Sequence, residues 1–150
     1  MLSKLKKTQS EGFTIIEVMI VLAIAALILL IVLLAVPALQ RNSRNTTIKN
    51  DVGVIAGLVN TAVSNSDGAP VTAVTGGGGT VNVTDSTPET GKISGGTTIT
   101  PVTAVPTSAT NSTINVWTGH DCTGAANTRV VALWYPVENS GTTVLKCQQA

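Results

Sequence analysis

The chain lacks most of what enzymatic or metal chemistry requires. It has one histidine, two cysteines, one phenylalanine, one tyrosine and two tryptophans, and 11% of its residues are charged, against ~25% in soluble domains. No Cys-x-x-Cys and no histidine cluster supplies zinc-ligand spacing. Asp67, Asp85, Glu89, Asp121 and Glu138 fall at no EF-hand spacing. Gly91-Lys92 is followed by Ile93, where a phosphate-binding loop needs Ser or Thr. His120 adjoins Asp121 in a glycine-containing turn, and adjacent side chains rarely point at each other as a Ser-His-Asp site demands. No catalytic residue, metal ligand or cofactor is therefore expected. The net charge of +1 leaves no basic footprint for nucleic acid, since only Lys92, Arg129 and Lys146 are basic beyond residue 63.

What is present is unevenly placed. Between Phe13 and Leu39 the chain is almost wholly apolar, with Glu17 the one ionisable side chain, while Ser64 to Thr118 is crowded with Thr, Ser and Gly. A run this long matches the ~20 residues that span a bilayer. A secretory signal would have a shorter run followed by a small-residue cleavage site. Here the small residue, Gly12, precedes the run and follows a short basic leader. A carboxylate inside such a segment costs roughly 2.5–3.5 kcal/mol on insertion scales, so a functional reading of Glu17 is the default.

Basic residues flank both sides of the run (Lys4, Lys6 and Lys7 before it; Arg41, Arg44 and Lys49 after it). The positive-inside rule is thus nearly silent. Cys122 and Cys147 decide orientation: a disulfide between them fits an extracytoplasmic C-terminal part better than a reduced cytosolic pair. Nine basic side chains face eight acidic ones. Residues 1–12 hold Lys4, Lys6, Lys7 and Glu11, so without them the balance is six to seven. A nearly neutral surface favours association.

Past Pro37 the pattern turns amphipathic. Ile48, Val52, Ile55 and Val59 form one helical stripe, with Arg41, Arg44, Lys49 and Asp51 largely off it. One helix is expected from about Phe13 to about Val63. Pro37 removes a backbone hydrogen bond and clashes with the Leu33 carbonyl, which predicts a kink there. Gly53 and Gly57 either permit close backbone approach or merely weaken the helix near its end. Ser64–Pro70 reads as a loop and Gly76–Gly79 as a flexible loop. Short β-like runs are expected at Thr80–Thr84 and Thr97–Val105, and the best strand signals are Ile114–Thr118, Thr128–Tyr135 and Thr142–Cys147. Trp117, Trp134 and Tyr135 are expected to fill a core between sheet and helix. The expected class is α+β: a long N-terminal helix, half apolar and half amphipathic, laid on a small antiparallel sheet. Asn45, Asn82 and Asn111 head N-glycosylation sequons, and the Thr/Ser-rich region offers hydroxyls for O-linked modification.

The string Gly12-Phe13-Thr14-Ile15-Ile16-Glu17, between a basic leader and an apolar run, resembles the processing site of type IV prepilins. The resemblance covers residues 1 to about 60 well, and the remainder only through architecture and the cysteine pair. It implies a pilin fold with a leader at 1–12, a transmembrane and filament-core helix at 13–39, an amphipathic half at 40–63 and a β-rich head with a C-terminal disulfide loop at 64–150. It implies cleavage between Gly12 and Phe13 by a prepilin peptidase on the cytoplasmic face and N-methylation of Phe13. It further implies pairing of Glu17 with the Phe13 amine of a neighbouring subunit in a homo-oligomeric filament. Implied partners are the peptidase/methylase, the pilus assembly machinery, minor pilins and, before assembly, membrane lipid. The implied location is the inner membrane, single-pass with the N-terminus inside, and then the extracellular pilus. A pseudopilin of a type II secretion or DNA-uptake system would share the same N-terminus. Two departures stand out: Ala25-Ala26 occupies the region where many pilins have a helix-interrupting Gly, and Pro37 lies about three residues later than the Pro of the best-known members.

Overall fold

The computed structural model describes residues 12–108 and 110–150; the basic leader residues Lys4, Lys6 and Lys7 lie outside them. The chain divides into two compact units, Met1–Ala38 and Leu39–Ala150. One helix, α1 (Ile15–Asn65), contributes to both and includes Pro37 within its span. It begins and ends two residues later than the sequence predicts.

In the first unit every described side chain from Gly12 to Ala38 is exposed. An 18-residue window of α1 reaches a mean hydropathy of 3.5 with none of it buried. Length and apolarity alone make this the one described helix able to cross a membrane.

In the second unit α1 buries Ile48, Val52, Ile55, Ala56, Val59 and Ala62, which is the predicted stripe extended by two alanines. The helix ends at Asn65, where Asp67 and Gly68 adopt positive φ and the Gly68 N–H donates to the Val63 carbonyl. Glycine carries no Cβ penalty there, so the helix stops cleanly. Seven strands follow: β1 (Ala73–Gly77), β2 (Thr80–Thr84), β3 (Glu89–Lys92), β4 (Thr98–Pro101), β5 (Thr113–His120), β6 (Ala126–Asn139) and β7 (Thr142–Gln149). Their order in one sheet is β3-β2-β1-β4-β5-β6-β7. Val74, Val81, Val83, Ile99, Ile114, Val116, Val131 and Leu133 meet the helical stripe in a single core. Burying a side chain of this size contributes about 1.5–3 kcal/mol.

The sheet differs from the predicted one in three ways. It is mostly rather than wholly antiparallel, because β4 and β5 run parallel, Ile99 opposite Ile114. Parallel neighbours need a connection that returns the chain to its starting end, and residues 102–112 provide it. Gly76 and Gly77 lie in β1, and only Gly78 and Gly79, both at positive φ, form the β1–β2 turn. Two consecutive positive-φ residues match the twist of a tight hairpin, so this stretch is a hairpin and not a flexible loop. The third difference is β3, whose Glu-Thr-Gly-Lys sequence has no strand signal and is held by its ladder to β2.

The aromatic expectation also changes. Tyr135 packs against the helix-side core. Strand alternation places Trp117 and Trp134 on the opposite face, because their neighbours Val116 and Leu133 point into the core. There Ala132 is fully buried although it lies outside the helix-side cluster. A Cβ built on Gly124 would lie 3.2 Å from Val105 and 3.6 Å from Trp117, so the β5–β6 turn and the 102–112 connection both reach this face.

Candidate functional site

The N-terminal candidates lie at the start of α1. Gly12 and Phe13 precede the helix without regular structure, and Phe13 is 89% exposed. Nothing lies within 4 Å of where a Gly12 Cβ would be. Phe13 and Glu17 share a shallow depression with Val18, Val21 and Leu22.

Thr14 caps the helix. Its backbone N–H and its hydroxyl both donate to Glu17 Oε2, each at 2.8 Å, and the Glu17 N–H donates back to the Thr14 hydroxyl oxygen at 3.3 Å. This is a capping box, Thr-x-x-Glu, in which two unpaired donors of the first turn are satisfied reciprocally. The signal is legible in Thr14-Ile15-Ile16-Glu17, but reading Glu17 as an intruder in an apolar run hides it. The carboxylate therefore has a local role before any partner is considered.

Pro37 lies inside α1, where it has no N–H to offer the Leu33 carbonyl. Ala25 and Ala26 are helical. Gly53 and Gly57 are exposed, with nothing within 4 Å of an added Cβ, so they make no close approach within this chain's described residues.

The cysteines lie in the second unit. Cys122 and Cys147 are at disulfide distance, with Cα atoms 5.9 Å apart and 25 positions apart in sequence. The enclosed stretch is the β6–β7 hairpin rather than a loop. Cys122 sits in the β5–β6 turn and Cys147 lies opposite Trp134. The turn is built by Asp121, whose Oδ1 accepts from the Thr123 hydroxyl, the Thr123 N–H and the Ala125 N–H. The Thr123 hydroxyl bond comes first among the causes that hold the Asp121 carboxyl below the usual aspartate range. With that carboxylate committed to the turn, His120 instead stacks on Trp117 at 3.9 Å between ring centroids. Among the described residues no three His, Cys, Asp or Glu side chains converge on a point.

Two polar clusters have no counterpart in the sequence reading. Asp51, placed largely off the apolar stripe, is 4% exposed and accepts from the Ser94 N–H, the Ser94 hydroxyl and the Thr97 hydroxyl. It ties α1 to the β3–β4 connection. Arg44 donates both Nε and Nη2 to Glu138, at 2.6 and 2.7 Å. Beside it Asn45 and Glu138 exchange two bonds of 2.8 Å, from the Asn45 side-chain amide to the Glu138 carbonyl and from the Glu138 N–H to Asn45 Oδ1. The Arg44 bond chiefly lowers the Glu138 carboxyl from its ordinary value, and the same bond raises the Arg44 guanidinium. No sequence signal links positions 94 residues apart.

No curated protein and no solved structure matches the chain. Residues 7–33 match the family described as the prokaryotic N-terminal methylation motif. With the capped start of α1, the unpartnered apolar stretch behind it and the helix-on-sheet second unit, this match establishes that the chain carries the prepilin-type signal of type IV pilins and pseudopilins.

Proposed function

We propose that the chain is a structural subunit of a type IV pilus. The methylation motif at residues 7–33 carries this reading. The subunit is held in the inner membrane by residues 13–39, with the N-terminus inside and the Cys122–Cys147 unit outside. A prepilin peptidase cleaves between Gly12 and Phe13, and the new Phe13 amine is N-methylated. The chain is a substrate in these steps and performs none itself. Assembly then moves the apolar face of α1 from lipid into contact with other copies, which suits a surface that is exposed among the described residues.

Glu17 pairs in the filament with the Phe13 amine of a neighbouring subunit. Pairing offsets much of the cost of holding either charge away from water and fixes register more than it adds stability. Pro37 supplies a weak point where the helix can bend during this transfer.

The mature N-terminus decides the processing step. Mass spectrometry of the protein from native envelopes is expected to show N-methylated Phe13, and Gly12→Val is expected to retain the leader. An unchanged mature N-terminus in Gly12→Val overturns the reading. Electron microscopy with antibody against this chain then separates a pilus, labelled along surface filaments, from a pseudopilin confined to the periplasm.

A further inference from the structure

The seven-stranded sheet ends in two edges of different character. β3, at one end of the order, is four residues long, follows Pro88 and carries Glu89 and Lys92. β7, at the other end, runs eight residues without proline, and Lys146 is its one charged side chain. Its register with β6 is unbroken from Thr142 to Gln149, so no bulge turns it away. A long strand with an unpaired edge is a template for another strand. β4 and β5 are the one parallel pair among the described strands, so β3 and β7 run in opposite directions. If a second copy continues the sheet with its helix on the same side, its β3 meets β7 antiparallel, the more stable pairing.

Backbone and side chains then select one register. Val131 and Ala150 exchange two backbone hydrogen bonds, so in β7 the N–H and C=O groups of Thr143, Leu145 and Cys147 point away from β6. The Ile93 N–H donates to the Gly79 carbonyl, which leaves Thr90 and Lys92 pointing away from β2. Thr90 opposite Leu145 and Lys92 opposite Thr143 complete a ladder. The same register sets Glu89 against Lys146 and Gly91 against Val144, all on the helix side. Glu89 and Gly91 lie beside the buried Val83 and Val81, and Lys146 lies beside Tyr135 of the core. These are non-hydrogen-bonded pairs, whose side chains lie closest, and opposite charges there attract. Gly91 also has a shape reason: a Cβ on it would lie 2.5 Å from Leu58 and 3.4 Å from Val54. Val54 and Val144 are 38% and 45% exposed, two of the three exposed large hydrophobics beyond residue 48 among the described residues. Val144 placed over Gly91 of a neighbour comes beside that Val54, and both leave water.

We propose that β7 of one copy pairs antiparallel with β3 of the next, Glu89 against Lys146, so that the sheet continues from head to head. Lys146, which would otherwise blunt the edge, becomes the residue that selects the partner strand. The contact is heterologous, so each pairing leaves one β3 and one β7 open for further copies. An isologous β7–β7 pair would instead close at two copies and leave β3 and Val54 uncovered. A four-residue ladder is small for an interface. The proposal therefore rests on the filament reading, in which α1 already holds the copies close together.

The test is cross-linking of the full chain in native envelopes, using Lys92→Cys/Thr143→Cys and a short thiol-reactive linker. Within one copy the two positions lie on opposite edges of the sheet, roughly 29 Å apart by strand spacing and out of the linker's reach. Across the proposed ladder their Cα atoms are about 5.5 Å apart. A series of dimers, trimers and higher multimers is expected. Adding Glu89→Lys or Lys146→Glu is expected to cut the multimers roughly fivefold, the scale of a reversed cross-strand charge pair. Adding both is expected to restore them, with the thermal transition of the second unit unchanged. Cross-linking that stops at dimers, or that Thr143→Cys gives by itself, shows β7–β7 pairing and overturns the proposal. Multimers indifferent to the two charges also overturn it. No multimers from cells with intact labelled filaments overturns the edge pairing and leaves the pilin reading standing. Charge-dependent multimers of chains that retain the leader support the pairing and overturn the processing.

Discussion

The Glu17 carboxylate closes back on Thr14, accepting 2.8 Å bonds from both its N–H and its hydroxyl. On the proposed assembly, a carboxylate satisfied within its own first turn waits in lipid at reduced cost and later exchanges those bonds for the Phe13 amine of a neighbour. The two residues are then separable by mutation. Thr14→Ala removes the cap, costs about 1 kcal/mol at the helix start and is expected to reduce filament yield modestly. Glu17→Val is expected to leave membrane insertion intact and abolish filaments. Immunoblots of membrane and sheared surface fractions measure both, and normal filaments from Glu17→Val would remove Glu17 from assembly.

The Arg44–Glu138 pair makes the second unit sensitive to acid. Glu138 has its carboxyl lowered by the Arg44 bond. Its contribution is therefore present above the ordinary glutamate value and lost as pH falls through the lowered folded value. Glu138→Gln is expected to melt lower than the parent at neutral pH and to converge with it in acid. Arg44 is about half exposed, so added salt is expected to narrow the neutral-pH difference. Parallel thermal melts across pH check this.

Asp51 is the costliest polar residue to remove. Asp51→Ala strands the Ser94 N–H and two hydroxyls in a buried site, with an expected loss on the order of 3 kcal/mol. Asp51→Asn keeps an acceptor and is expected to lose less. Denaturant unfolding of the two variants gives the order, and equal losses would show that packing alone matters there.

The cysteine pair constrains a stretch of 25 residues, for which the chain-entropy argument gives about 3 kcal/mol. Cys147 lies opposite Trp134, so Cys122→Ser/Cys147→Ser is expected to change tryptophan emission along with stability. Fluorescence-monitored unfolding reads both. An unchanged midpoint would show that hairpin pairing alone holds the β5–β6 turn in place.

The helical stripe that the sequence marks is the one the folded chain buries. Ile48, Val52, Ile55 and Val59 show helical spacing and are buried. Ile55→Ala is expected to cost about 2–5 kcal/mol, whereas Leu29→Ala, on the exposed apolar face, is expected to leave the melting of the second unit unchanged. Thermal melts of the two variants in detergent make the comparison.

The processing motif, the capped apolar helix, its amphipathic continuation and the β5, β6 and β7 strands were legible in sequence, because each is written in neighbouring residues or in a period of four or two. The apolar run determined that the chain has one described helix long and apolar enough to cross a membrane. Other features depended on residues far apart meeting. Asp51 is buried only because Ser94 and Thr97 supply its donors. Glu138 has a partner only because β6 passes beside α1. The Glu-Thr-Gly-Lys edge strand exists only through its ladder with β2, and Trp117 and Trp134 changed faces with strand parity. The parallel β4–β5 pair, which makes residues 102–112 a crossover, was likewise decided in three dimensions. Local patterns record where a chain turns helical or extended, while the pairing of distant segments depends on which buried groups the whole fold can satisfy.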